Sequence, residues 1–482
     1  MRLVSGPVTI NGRRYVTSTY DGTFPGPALV ICPGDRVTVH LINDLREDTN
    51  LHVHGLHVSP SANSDNIFVD VRPGQRFTYQ YRLPVDQDPG TFWYHPHRHM
   101  HVRPQIYDGL AGAIVVAGGL DNLLPNIPQR LMVIQGVELC GPNGRSVRFP
   151  HSGTEVCKQP NQVVPPSQSF QRYRALFVNG VLNPTVKIRP GEIQRWRIVN
   201  ATDNRILKLK LQGQPFEVLA EDGNTLPWMR SSKALLIGPG SRREVLVRGG
   251  RPGRYPMRAL FFRQFASSAD GPTPNQSVLT LVSSGPKARD HLPGRGLSHP
   301  TDLRRRRVDR RRLIVFTQME TPMKFEYFIN GRLFDPKFIA VTMKLNSVEE
   351  WTLVNRSVEW HTFHIHINPF QVISVNGRRV PYVDYQDNVL MPPHSRIVIR
   401  MLPKDFTGKF VMHCHVASHE DLGMMATVQV VKSPTPAQLR ASAVASGGIS
   451  IRSSAYGAGQ TVASSLTFIC HLLGVRGRSR PQ

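Results

Sequence analysis

Between Arg76 and Arg82 the chain alternates, with Phe77, Tyr79 and Tyr81 set against Arg76, Thr78, Gln80 and Arg82. Period two puts successive side chains on opposite faces and predicts a half-buried strand. The alternation sits inside a threefold repeat. Gly34-Asp35-Arg36-Val37-Thr38-Val39-His40-Leu41-Ile42-Asn43 matches Gly191-Glu192-Ile193-Gln194-Arg195-Trp196-Arg197-Ile198-Val199-Asn200, and a third copy runs from Asn346 through Val348, Trp351, Leu353 and Val354 to Asn355. From Gly34 to Gly191 is 157 residues and from Gly191 to Asn346 is 155. A turn signal precedes each copy: Asp21-Gly22, Asn179-Gly180 and Asn330-Gly331. A second block also recurs, Pro73-Gly74 before Gly90-Thr91-Phe92-Trp93-Tyr94, Pro239-Gly240 before Gly253-Arg254-Tyr255, and Pro393-His394 before Gly408-Lys409-Phe410-Val411-Met412. The pattern predicts an all-β chain of three β-sandwich domains of one lineage, over 1–124, 125–290 and 291–435. An Arg-rich stretch links the second to the third. The Ala/Ser/Gly-rich segment 436–482 has no periodicity and reads as a disordered tail.

Composition narrows this further. A chain of 482 residues is too long for one ordinary core, and 39 prolines with 39 glycines favour short strands and turns over long helices. No apolar run approaches the roughly 20 residues that span a bilayer, so no transmembrane segment is expected. The five cysteines, Cys32, Cys140, Cys157, Cys414 and Cys470, are too few and scattered for a disulfide framework, though Cys140 and Cys157 could pair across a loop. Met1-Arg2-Leu3-Val4-Ser5-Gly6-Pro7 lacks the apolar stretch of a signal peptide, which leaves a cytoplasmic chain or a missing leader. The net charge of +25 raises nucleic acid as a partner. Yet residues 286–312 hold ten Lys/Arg against three Asp, and 436–482 hold five Arg and no acid. No basic helix interleaves with aromatics, so the excess reads as a solvated linker and tail with no specific nucleic-acid partner.

Histidine placement turns architecture into chemistry. None lies between His151 and His291, whereas the outer domains hold four His-x-His pairs: His52/His54, His95/His97, His364/His366 and His413/His415. Under the repeat they coincide, since Asn43 to His52 and Asn355 to His364 are both nine residues, and Gly90 to His95 and Gly408 to His413 both five. The middle domain has Leu209/Leu211 and Arg258/Leu260 there. Both members of such a pair face one side of a strand, forming a two-pronged grip for a metal. One pair is weak grounds, because surface or core histidines are commoner; four at matched positions imply a cluster between domains one and three. Cys414, between His413 and His415, faces the opposite side, as does His361 three residues before His364. His419 and Met424 follow on the next loop. Two imidazoles, a thiolate and a thioether are the ligands of a blue-copper electron-transfer site. Domain one has Thr49, Pro96, His101 and Ile106 at the matching places, so its site is lost and His101 is a relic or supporting residue.

These residues resemble the multicopper oxidase family, nearest the bacterial three-domain laccase-like members, over about residues 15–435. The resemblance rests on His52-Val53-His54-Gly55, His95-Pro96-His97, His361-Thr362-Phe363-His364-Ile365-His366, and His413-Cys414-His415 with His419 and Met424. It implies three tandem cupredoxin-like Greek-key domains and four copper ions. It assigns type 1 copper to His361, Cys414, His419 and Met424, and type 2 to His52 and His364. The type 3 pair falls to His54, His95 and His415 on one ion and His97, His366 and His413 on the other. It further implies one-electron oxidation of a small reducing substrate at type 1 copper, with dioxygen reduced to water at the other three. The protons that this needs point to Asp65, in Ser64-Asp65-Asn66, and Glu420, next to His419. On spacing alone Asp65 caps a turn and Glu420 makes a surface ion pair. Thr362 stands where the family usually has proline, Arg98 and Met100 where small or apolar residues are common, and the family's export leader, which implies a periplasmic or secreted protein, is not seen.

Other readings fit less well. A two-domain nitrite reductase needs neither eight cluster histidines nor this length. A cupredoxin-like scaffold of the cell-division type would have lost ligands. A zinc hydrolase has no place for the Cys-His-Met set. A copper-binding protein differs from an oxidase in oxygen consumption. Phenols or aromatic amines are the expected substrates, with Cu(I), Fe(II) or Mn(II) as the alternative, because the 13 methionines are dispersed and only Met424-Met425 are adjacent.

Overall fold

The computed structural model describes residues 1–138, 174–264, 273, 275–294, 296–321, 324–436 and 464–465. Cys140 and Cys157 lie outside them, as does the 436–482 segment except Pro436 and Ser464–Ser465; the last two pair antiparallel with Leu131 and Arg130. The repeat builds three pairs of sheets. In the first pair, one sheet holds Arg13–Tyr20, Arg2–Ile10, Arg36–Asp44 and Arg76–Arg82 in that spatial order. The other holds Gly26–Ile31, Gly112–Val116, Gly90–His95 and His52–His54. The alternation read at Arg76–Arg82 is real, for Tyr79 and Tyr81 enter the core while the charged positions face solvent.

The five-stranded sheets of the other two pairs follow the same order. One runs Thr185–Ile188, Gln276–Ser283, Gly253–Leu260, Leu207–Leu211, Leu235–Ile237, and the other Ile339–Lys344, Met425–Val431, Gly408–Cys414, His361–Ile365, Asn388–Met391. The two histidine-bearing strands of each outer unit are therefore sheet neighbours. Their middle-unit counterparts bury Leu209 and Leu211 in a core with Trp196, Phe216 and Met257. Three cupredoxin-like domains thus stand in tandem.

The Arg-rich stretch is only in part the solvated linker expected from its charge, for Arg305, Arg306, Arg307 and Arg311 are exposed but Arg304 and Arg312 are built into the third domain. Arg310–Thr321 is a strand, parallel to Glu349–Asn355. Arg312 is buried and donates to Glu349 at 2.5 and 2.9 Å, while Arg304 pairs with Asp302 and donates to the Val380 carbonyl. Arginines also join the domains from inside. Arg195 and Arg197 are buried against Glu244, which accepts from Thr91 at 2.6 Å across the boundary between the first two domains. Burial raises the Glu244 carboxyl, but the two guanidiniums outweigh it and hold it down at about 2.

Candidate metal centre

Register sets the centre. On the first domain His52 pairs with His95 across neighbouring strands, and on the third His364 pairs with His413. All eight His-x-His imidazoles are buried at the meeting of the two domains. His54, His95 and His415 offer donor atoms within 4.8 Å of one another, as do His97, His366 and His413, and His52, His54 and His364. Alternation sends Phe363, Ile365 and Cys414 the other way, into the third domain's core. There His361, Cys414 and His419 form another such group, with Sγ 3.6 Å from His361 Nδ1 and 3.7 Å from His419 Nδ1. Met424 is buried beside them; its carbonyl accepts from Cys414 N and its amide donates to the His419 carbonyl. At the matching place in the first domain Thr49 Oγ1 donates to Gln105 Oε1 at 2.8 Å, and His101 Nδ1 lies 3.2 Å from Glu47 Oε2.

These donors call for cations. The Nε2 atom of His97 lies 3.1 Å from those of both His413 and His366, and His361 Nδ1 lies 3.0 Å from His419 Nδ1. Facing lone pairs at that distance repel unless a proton or metal lies between them. The Nε2 atoms of His52, His95 and His364 are buried with no hydrogen-bond partner, which costs free energy unless a ligand satisfies them. Neutral imidazoles with a thiolate and a thioether suit copper in both its oxidation states.

Carboxylates stand behind the rings. Asp65 is buried, its oxygens accept from His52 Nδ1 at 2.9 and 3.0 Å, and it accepts from Val53 N at 3.0 Å. Glu420 is wholly buried, so the surface ion pair expected from spacing is ruled out. Its Oε2 lies 2.9 Å from His413 Nδ1 and its Oε1 3.3 Å from His97 Nδ1, neither aligned as a hydrogen bond. Three further residues went unread in the sequence. Glu359, fully buried, lies 3.4 Å from His419 Nε2 and accepts from Tyr327 Oη at 3.0 Å, and Tyr327 stacks on the His419 ring at 4.0 Å. Asp387 reaches His54. Nothing in their local sequence marks them, since each acts across the fold.

Burial, reinforced by neighbouring rings, holds His54, His95, His97, His364, His366, His415 and His419 well below the usual histidine range, and burial alone takes His361 down to about 3. The unfolded chain therefore binds protons that the metal-free fold refuses. The resulting stability is present above the unfolded value of about 6.5 and is lost as pH falls below it. The melting temperature of copper-free protein should drop steeply between pH 7 and pH 5. A flat profile by scanning calorimetry would mean that the empty centre opens to water.

No helix among the described residues is long and apolar enough to cross a membrane. Family models described as multicopper oxidase match residues 4–120, 139–281 and 306–434. The chain is 29% identical over 421 residues to the multicopper oxidase mco of Staphylococcus haemolyticus, covering 86% of this chain and 84% of that one. It is 30% identical to the cell division protein FtsP of Escherichia coli, covering 74% and 72%. Among solved structures it is similar to a multicopper oxidase of Campylobacter jejuni described as a metallo-oxidase, at 25% identity and TM-score 0.74 over 89% of this chain and 90% of that one. A laccase-like multicopper oxidase, CueO, of Ochrobactrum sp. gives 25% identity and TM-score 0.72 over 89% and 96%. With its three matched domains and its gathered histidines and cysteine, the chain belongs to the multicopper oxidase family, oxidoreductases that use copper and dioxygen.

Proposed function

We propose that this protein is a laccase-like oxidase, taking electrons singly from phenols or aromatic amines and delivering four to dioxygen. His361, Cys414, His419 and Met424 would hold type 1 copper, and His52 and His364 type 2. His54, His95 and His415, and His97, His366 and His413, would hold the type 3 pair; the donor groups within 4.8 Å support this division. Copper bound there supplies reversible one-electron chemistry. Cys414 is bonded through the backbone to His413 and His415, so the chain itself gives a short electron path between the two sites. Asp65 holds the Nδ1 proton of His52, leaving its Nε2 free for a metal. Glu420 stands at the Nδ1 atoms of His413 and His97, where it can take and give protons.

The observation that carries the substrate reading is the surface above His419. Leu333 and Leu422 are exposed there. Leu422 accepts from Tyr327 N, and Leu333 packs over Gly423, directly before Met424. An apolar ring can lie on these side chains, beside the turn that carries His419 and Met424. Glu359, 3.4 Å from His419 Nε2, is fully buried, so it offers an aqueous cation no open ligand. The complete donor set supports an oxidase over a cell-division scaffold. A periplasmic or secreted location agrees with Cys32, which is disulfide-bonded.

Initial rates of oxygen consumption on methoxyphenols and aromatic amines, beside Cu(I), Fe(II) and Mn(II), test the reading. The aromatic donors should exceed the metal ions in kcat/KM by about tenfold or more, the scale of discrimination that an apolar contact gives. The reverse order would make the protein a metallo-oxidase, and no oxygen uptake with any donor would remove the oxidase reading.

A further inference from the structure

The middle domain supplies no imidazole to the centre, yet one of its side chains reaches it. Arg242 opens the strand Arg242–Arg248 and is fully buried. Its backbone N donates to Asp222 Oδ1 at 2.7 Å, and its Nε to the Thr91 carbonyl of the first domain at 3.1 Å. Its Nη1 and Nη2 donate to Asp387 Oδ1 and Oδ2 of the third domain at 2.8 and 2.6 Å. One guanidinium thus ties three domains, in the two-pronged geometry that makes Arg–carboxylate pairs directional.

Asp387 faces two cluster histidines at once. Its Oδ1 lies 3.1 Å from His54 Nε2, and its backbone carbonyl lies 2.7 Å from His364 Nδ1. A carboxylate paired with arginine and a carbonyl both only accept. His54 Nε2 and His364 Nδ1 must then carry the protons, leaving His54 Nδ1 and His364 Nε2 as the lone pairs. Those are the atoms that face the cluster: His54 Nδ1 lies 3.2 Å from His415 Nε2, and His364 Nε2 is buried with no partner. Asn388 supports the arrangement, its N donating to Asp222 Oδ2 at 3.1 Å and its Nδ2 to Asp387 Oδ1 at 2.8 Å. His54 Nε2 also lies 2.9 Å from Asn388 Nδ2, a donor that already serves Asp387 Oδ1, so a proton on Nε2 goes to the carboxylate and not to Asn388.

The backbone leaves room for this pair. Gly55, directly after His54, has φ +87°, and a Cβ there would collide with Arg242 Nη2 and Asp387 Oδ2. Gly240 has φ +82°, and a Cβ there would meet the His415 ring at 2.7 Å. Any side chain at either position would displace the guanidinium, the carboxylate or a cluster histidine.

We propose that Arg242 and Asp387 are positioning residues for the trinuclear centre: the arginine of the middle domain fixes the Asp387 carboxylate, which sets the tautomer and orientation of His54, while the Asp387 carbonyl does the same for His364. The proposal rests on the reading that His54 and His364 bind copper. It gives the middle domain a part in metal binding that its lack of ligands conceals.

The test uses full-length protein reconstituted with copper, with Asp387→Asn and Arg242→Lys as variants. Asparagine keeps the shape but brings an amide donor that can turn towards His54 Nε2. Lysine keeps the charge but lacks the fork. Both should bind trinuclear copper about 10–100-fold more weakly, as removal of a partner behind a ligating histidine does elsewhere. Copper per chain would fall below four and the type 2 electron paramagnetic resonance signal would change. The type 1 absorption, which arises inside the third domain's own core, would stay. Full copper, an unaltered type 2 signal and wild-type affinity in both variants would overturn the proposal. So would loss of type 1 and trinuclear copper together, the mark of a general structural role. A His54→Ala variant that still binds four coppers would remove the ligand reading and the proposal with it, whereas failure of the first two variants alone leaves that reading standing.

Discussion

Replacing Cys414 by serine should abolish blue absorption and reduce substrate oxidation to background while the protein stays folded. The side chain lies inside the third domain's core, 3.6 and 3.7 Å from the Nδ1 atoms of His361 and His419. Burial pushes its thiol up to about 12, so the copper-free protein holds the proton on sulfur, and metal entry must release it. Serine fills nearly the same volume, which spares the surrounding Phe363, Ile365 and Met412. Its hydroxyl is far more reluctant to give up a proton and is a hard donor where a soft thiolate is needed, so neither the charge-transfer band nor the electron entry survives. The other coppers, which on the proposed assignment the histidines of the domain boundary would hold, should remain, seen as a persistent type 2 resonance. A purified variant that stays blue, or still oxidises phenols, would remove Cys414 from the type 1 site.

Much of this was legible because strand chemistry is local. Period two sends His413 and His415 one way and Cys414 the other, so one tripeptide serves two sites, and the repeat aligned His52 with His364 before any fold was known. What the sequence concealed depends on contacts between distant segments. Arg310-Arg311-Arg312 looked like solvated charge, but the strand they begin lies parallel to one beginning Glu349-Glu350, where Glu350 pairs with Arg311 and Glu349 with the buried Arg312. The apolar run Leu313-Ile314-Val315-Phe316 that follows was the available signal for a strand. On spacing alone Glu420 read as a surface ion pair, since nothing nearby reveals that His97 of another domain comes within 3.3 Å. Asp387 and Arg242 lie 145 residues apart, and neither carries a motif. Buried acids that act on histidines from behind are selected by three-dimensional position, which spacing along a strand does not encode.

That difference in position separates the two acids first singled out for protons. Reduction of one dioxygen to two waters consumes four protons, and buried neutral imidazoles that bind metal have none to give. Asp65 has both oxygens committed, to His52 Nδ1 and Val53 N, in aligned hydrogen bonds. Its work is to hold His52, and asparagine should weaken retention of type 2 copper more than it slows proton supply. Glu420 touches two imidazoles without an aligned bond to either, so its oxygens keep acceptor capacity for a proton or a water. Glu420→Gln keeps the shape and removes the ionisable group. Full copper and normal reduction by substrate are expected in that variant, with reoxidation by dioxygen slowed about 100-fold, the low end of what a positioned acid or base contributes. The loss should appear in kcat with both substrates saturating, because the missing group acts after binding. Stopped-flow mixing of the fully reduced variants with dioxygen decides it. Wild-type reoxidation in Glu420→Gln would return Glu420 to a purely structural role, and a slower Asp65→Asn than Glu420→Gln at equal copper content would reverse the assignment of the two acids.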